Sequence, residues 1–181
     1  MLSVEEYLRL EETSPVKHEY VAGEVYALAG VSRRHNRIVV NLTLHFARAT
    51  QGSGCRISVV DVKLHADDDV YYYPDVMVAC GPEPENAYLE DAPCLVVEVT
   101  SASTEAIDRR EKLAVYRRMA SLRDYLVVDQ ERRRVEHHWR DTDGVWWRDD
   151  VVGHGTLTLA SAQVGGPLTL EEIYAGTNLP E

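Results

Sequence analysis

The hydrophobic and polar positions alternate between two periods along the chain. Ser3, followed three residues later by Glu6, is a capping box ahead of a mixed apolar and acidic stretch, and predicts a helix over about residues 3–12. KHEYVAGEVYAL then alternates on both sides of Ala22 and Gly23, as a tight β-hairpin does, with Glu24 opening the second arm. From Ser32 to about Thr50, the positions Ile38, Val39, Leu42, Leu44 and Phe46 follow one another without a breaker, which predicts one long helix capped by Ser32. Three strand-like pieces come next, near 55–65, 70–73 and 75–80, and the Pro- and acid-rich segment GPEPENAYLEDAP reads as a surface loop.

Residues 94–99, CLVVEV, are apolar enough for a central strand covered on both faces. The segment after it, capped by Ser103 or Thr104 and striped by Ile107, Leu113, Ala114 and Met119, predicts an amphipathic helix, and DYLVVD predicts a second central strand. RRVEHHWR, VWWRDD and TLTL read as antiparallel hairpins with Asp143-Gly144 as one turn, and a short helix is expected near 169–175. The sum is a mixed α/β fold in one domain over residues 1–181: a central mixed sheet flanked by helices, a strand-helix-strand crossover over 94–129, and an antiparallel C-terminal extension.

Composition narrows the class. With 181 residues, 45% of them hydrophobic and 27% charged, the chain matches a globular protein with one ordinary core. No run approaches the roughly 18 apolar residues of a membrane span, and the start is acidic where a secretion signal is basic and then apolar, so the cytoplasm is the expected compartment. Cys55, Cys80 and Cys94 are odd in number and lie in or beside apolar runs, which predicts buried free thiols. The net charge of −11 argues against non-specific coating of nucleic acid. The basic residues are nevertheless clumped, at 32–37, 108–112, 116–119 and 131–135, and solvated helix faces or edge strands account for such clumps unless a motif says otherwise.

One letter in the central strand is out of place. Glu98 sits among Leu95, Val96, Val97 and Val99, where a lone ionised carboxylate would cost on the order of several kcal/mol. Asp75 is its natural companion, since it opens another apolar strand directly after Pro74, a residue that marks strand starts. If the two strands are neighbours, two carboxylates converge, and either one takes a proton or a divalent cation settles between them. Mg²⁺ suits such a site because it takes hard oxygen ligands and keeps several waters, with the backbone carbonyl after Glu98 as a third donor. Asp108, Lys112 and Tyr116 follow at intervals of four on the predicted helix and share a face that can turn back toward Glu98. Spacing alone leaves Lys112 open between supporting a hydrolytic water and forming an ordinary Asp-Lys helix pair worth a few tenths of a kcal/mol, roughly.

Other constellations are weaker. Ser32 and His35, one turn apart at a helix start, fit an N-cap better than a nucleophile and its base. His137 and His138 are adjacent in a strand and point to opposite faces, against a shared metal. Tyr71, Tyr72 and Tyr73 have rings that can stack on bases, but half-buried strand tyrosines are commoner, and Trp146 and Trp147 read as sheet or dimer-contact residues. An acid-base carboxylate pair acting on a sugar would need a set separation across a cleft, which a sequence does not give.

PD at 74–75, EVTS at 98–101 and DRREKLAVY at 108–116, together with GEVYALAGVSRRH near the start, resemble the putative restriction endonuclease family, a branch of small bacterial single-domain proteins in the PD-(D/E)xK nuclease superfamily. The resemblance runs from about residue 3 to 140. It implies a restriction-endonuclease-like fold and a metal-dependent endonuclease acting on DNA. In that role Asp75 and Glu98 hold Mg²⁺ (or Mn²⁺) and Lys112 assists the attacking water. The superfamily pattern has a lysine two residues after the glutamate; this chain has Thr100 there, and the resemblance moves the role to Lys112. Glu24 is then a candidate additional acid, His35 a phosphate contact or proton shuttle, Asp108 a further site residue, and Arg33, Arg34, Arg37 and Arg109 candidate phosphate contacts. A homodimer is the expected assembly. The competing expectation is a catalytically weak or inactive nuclease fold used for self-association or protein binding, supported by the negative charge and the absence of a DNA-reading motif.

Overall fold

The computed structural model describes residues 1–100, 111–164 and 166–180. It opens with helix α1 (Val4–Thr13), whose cap is reciprocal: the Ser3 hydroxyl accepts from the Glu6 N–H and the Glu6 carboxylate accepts from the Ser3 N–H. Strands β1 (His18–Val21) and β2 (Glu24–Ala27) form the expected hairpin. Ala22 and Gly23 both have positive φ, 48° and 92°, which is the two-residue turn that matches strand twist. Helix α2 (Arg33–Ala49) starts at Ser32, whose hydroxyl accepts from the His35 N–H, and it buries Ile38, Val39, Leu42 and Phe46. Each of those side chains contributes roughly 2 kcal/mol by leaving water.

The expected strand near 55–65 is two strands. β3 (Arg56–Val59) and β4 (Lys63–Asp67) are separated by Val60, which takes a φ of 53°. A β-branched residue in that region breaks the pleat, and the two halves go to different sheets. β5 (Val70–Tyr72) and β6 (Val76–Ala79) follow, and the proline-rich loop carries one short strand, β7 (Leu89–Glu90). β8 (Pro93–Thr100) and β9 (Asp124–Asp129) are the two central strands, followed by β10 (Arg134–Arg140) and β11 (Trp146–Val152). β12 (Thr156–Thr158) and β13 (Pro167–Thr169) form a separate ribbon, and a short helix, Leu170–Ile173, starts at the Thr169 cap.

The architecture is the mixed α/β fold expected, with a second sheet in addition. The six-stranded sheet runs β11-β10-β9-β8-β6-β3 and is mixed: β8 and β9 are parallel and the other neighbours antiparallel. The five-stranded sheet runs β2-β1-β5-β4-β7. One face of the larger sheet packs Val76, Val78, Leu95, Val97 and Val99 against α2 and the terminal helix. The other face packs Met77, Val96, Tyr125 and Val127 against Leu64, Val70 and Tyr72 of the smaller sheet and against a short helix, Leu113–Tyr116. β8 is buried at all eight positions, as an apolar strand between two layers must be. The helix expected from Ser103 onward lies outside the described residues as far as 110.

The cysteines depart from the expectation. Cys55 and Cys80 are joined by a disulfide, and Cys94 alone is a free, buried thiol. Pairing of β3 with β6 carries Arg56 against Ala79, so the flanking Cys55 and Cys80 are brought together at one end of the sheet, a proximity that spacing along the chain does not reveal. Among the described residues, no helix is long and apolar enough to cross a membrane.

Candidate active site

Asp75 lies where the chain passes between sheets. β5 ends at Tyr72 in the smaller sheet and β6 begins at Val76 in the larger, with Pro74 between, which cannot donate to either ladder. β6 pairs with β8 through Val76 opposite Val97, so one step further Asp75 comes beside Glu98. The Asp75 carboxylate accepts from the Val99 N–H at 2.7 Å, and its Oδ2 lies 3.2 Å from His35 Nε2. The Ser32 cap sets the first turn of α2 and thereby His35, which is buried and whose Nδ1 has no hydrogen-bond partner among the described residues.

Glu98 is 6% exposed and not alone. Its Oε1 accepts from the Tyr116 hydroxyl at 2.9 Å and from the Lys112 amine at 3.1 Å. The Lys112 amine also donates to Glu19 Oε1 at 2.9 Å and stands 5.0 Å from the Tyr72 ring centre, so the cation is held by two carboxylates and an aromatic face. Glu19 is steadied in turn by the Tyr73 N–H, at 3.2 Å. Burial, and after it the neighbouring Glu98 charge, pushes the Tyr116 phenol well above its ordinary range, so it remains a donor to Glu98 at neutral pH. The intruding carboxylate is therefore tolerated because a fixed cation and a phenol meet it.

The structure thus groups Asp75, Glu98, Lys112 and His35 around one end of β6 and β8. Glu24 is outside that group: it is exposed on β2, the edge strand, and its carboxylate takes the Tyr26 hydroxyl at 2.5 Å. Glu19 on the inner strand β1 is the acid that reaches Lys112, and sequence reasoning passed it over. Arg33 and Arg37 are exposed on the first turns of α2, whereas Arg34 donates to Glu131 at 2.6 Å and to the Gln130 carbonyl at 3.4 Å. Asp108 and Arg109 lie outside the described residues. Ser32 donates to Gln130 at 2.6 Å and caps α2, and so is occupied as a structural residue. His137 and His138 each meet an acid of their own, Asp124 at 2.8 Å and Glu136 at 2.6 Å.

Among the described residues, no three or more His, Cys, Asp and Glu side chains form a ready cage for a metal. The donor chemistry at Asp75 and Glu98 still suits a hard cation that keeps most of its waters, because such an ion needs only one or two carboxylates from the protein. Lys112 supplies positive charge to Glu98 and Glu19 in the structure described.

Three comparisons bear on this arrangement. Residues 4–170 match the family model described as Uma2: Putative restriction endonuclease. An uncharacterized protein of Synechocystis, slr1290, is 37% identical over 177 residues, covering 97% of this chain and 92% of the relative. A second from the same organism, sll1609, is 35% identical over 158 residues, covering 84% and 89%. A crystal structure described as a putative nuclease belonging to DUF820, from Anabaena variabilis, superposes with a TM-score of 0.81 over 98% of this chain and 99% of that one. At 15% identity, that likeness speaks for the fold.

Proposed function

The chain belongs to the Uma2 family of putative restriction endonucleases, and on that premise we propose that it is a Mg²⁺-dependent endonuclease of the PD-(D/E)xK type that hydrolyses phosphodiester bonds in DNA. The observation that carries this reading is the Lys112 amine held 3.1 Å from Glu98, on the strand end where Asp75 is anchored to the next backbone N–H. Asp75, Glu98 and the carbonyl after Glu98 are the residues to hold the ion. When bound, the ion supplies Lewis acidity and lowers the pKa of its water.

The chain's own groups do the positioning. The Val99 N–H and the His35 ring fix the Asp75 carboxylate, and the Tyr116 hydroxyl fixes Glu98. Lys112 is placed to donate to a water approaching Glu98 and to stabilise negative charge growing on a phosphate. Glu19 holds the amine in position from the opposite side. Arg33 and Arg37, on the helix that carries His35, face solvent where a phosphate backbone would approach.

The test is plasmid nicking at low salt with and without Mg²⁺ or Mn²⁺. Cleavage that needs the divalent ion, and that falls at least about a thousandfold in Asp75→Asn and in Glu98→Gln, supports the assignment; that factor is about 4 kcal/mol of transition-state stabilisation. Cleavage surviving in the Asp75→Ala/Glu98→Ala double variant removes the assignment. Ion binding without cleavage favours the second reading, a nuclease fold retained for self-association or protein binding, which the net charge of −11 and the ion-paired Lys112 favour.

A further inference from the structure

At the end of the large sheet away from Asp75 and Glu98, the sulfurs of three cysteines come together. Cys55, before β3, is bonded to Cys80, after β6, and Cys80 Sγ is 3.4 Å from Sγ of Cys94 in β8. Because Cys80 is in a disulfide and has no S–H, Cys94 is the donor in that contact. Cys55 and Cys80 are partly exposed, while Cys94 is buried. The central sulfur therefore has one partner bonded and another 3.4 Å away.

The geometry points to a thiol–disulfide exchange site in which Cys80 changes partner between Cys55 and Cys94. The Cys94 thiolate attacks Cys80 Sγ, the Cys80–Cys94 bond forms as the Cys55–Cys80 bond breaks, and Cys55 leaves as a thiolate that takes the proton Cys94 gave up. One disulfide and one thiol are present before and after, so no outside oxidant or reductant is consumed. Burial raises the attacking thiol above its ordinary pKa; of the groups facing it, the Ser161 hydroxyl favours ionisation and the Asp124 and Glu90 carboxylates oppose it. On the Cys55 side, the Arg56 guanidinium bonds Glu90 and the carbonyls of Gly81 and Pro82.

The exchange would move a crosslink from the β3–β6 pair to the β6–β8 pair. β6 leads to Asp75 and β8 carries Glu98, so the second crosslink pins the two strands that bear the carboxylates, on the order of 15 Å along each strand from the bond. A register shift between Val78 and Ala79 lies next to Cys80, where strands already depart from regular pairing and can accommodate either bond.

The test uses the whole chain oxidised with glutathione disulfide, held at pH 6 to 9, quenched in acid, unfolded, labelled at free thiols and mapped by mass spectrometry without reduction. One label per molecule, divided between Cys94 and Cys55, is expected, with the Cys55 share appearing about tenfold faster per pH unit below the Cys94 pKa as its thiolate fraction grows. Label confined to Cys94 throughout, or three labelled thiols, overturns the proposal. In Cys55→Ser, a Cys80–Cys94 disulfide is expected under the same oxidation; two free thiols, or glutathione on each, counts against it. Should that variant not fold, the wild-type map decides.

Discussion

Glu19 and Glu98 meet one amine, Lys112 Nζ, at 2.9 and 3.1 Å in a setting where all three groups are largely shielded from water. Removing one partner from a buried ionic group strands the remaining charges, a loss of about 3–5 kcal/mol. Lys112→Met keeps the stem and deletes the charge, so urea unfolding in chelator should show a stability drop of about that size. Mg²⁺ should then restore more stability to the variant than it adds to the wild type, because a cation at Glu98 substitutes for the missing amine. Equal stability of the two proteins in chelator would sink the electrostatic account. Glu98, Asp75 and Lys112 were legible as an acid intruding on an apolar strand, an acid after a proline and a helical spacing. Glu19 was not. It and Glu24 belong to the two arms of one hairpin, and only the strand order, with β1 inside and β2 at the edge, decides which acid reaches the sheet interface. That order depends on β5 docking against β1, a contact made between residues some fifty positions apart in sequence that no local pattern announces.

At the scale of elements, α2 links a local signal to the site. Ser32 accepts from the His35 N–H at 3.0 Å and donates to Gln130 beyond β9, so one hydroxyl starts the helix and ties it to the sheet. Ser32→Ala should lower stability by about 1 kcal/mol, seen as a melting temperature about 2–4 °C lower by calorimetry, and Ser32→Asp should recover most of it by capping the same N–H. An unchanged melting temperature in Ser32→Ala would show that the cap contributes nothing. Such caps, the primed hairpin turn and the largely apolar β8 were readable because each is decided within a few residues. The break at Val60 was not, because a valine at positive φ runs against its own preference and is held there by pairings on either side, including Val60 N–H to the Asp75 carbonyl at 3.3 Å. The same pairing that splits β3 from β4 also brings Cys55 to Cys80, which is why three cysteines that read as separate thiols form one cluster.

For the whole molecule, the proposed substrate must approach a protein of net charge −11. Long-range attraction is therefore absent, and binding has to come from a few local cations, acting within a Debye length of about 8–10 Å at ordinary salt. Arg34 is ion-paired to Glu131, which leaves Arg33 and Arg37 among the described arginines of α2's first turns to meet phosphates. Each phosphate contact adds about 0.9 to the steepness with which affinity falls with salt on a double logarithmic scale, so two contacts give a slope of about −2. Fluorescence anisotropy with a labelled duplex between about 50 and 200 mM salt measures it directly. Arg33→Ala and Arg37→Ala should each reduce the slope by about 1, while Arg34→Ala should leave it nearly unchanged. A double Arg33→Ala/Arg37→Ala variant with the wild-type slope would place the nucleic-acid contact on another face and detach the α2 helix from the proposed reaction. A slope much steeper than −2 would instead mean that further cations join these two when the substrate docks, because a protein this acidic has no diffuse positive field to supply the difference.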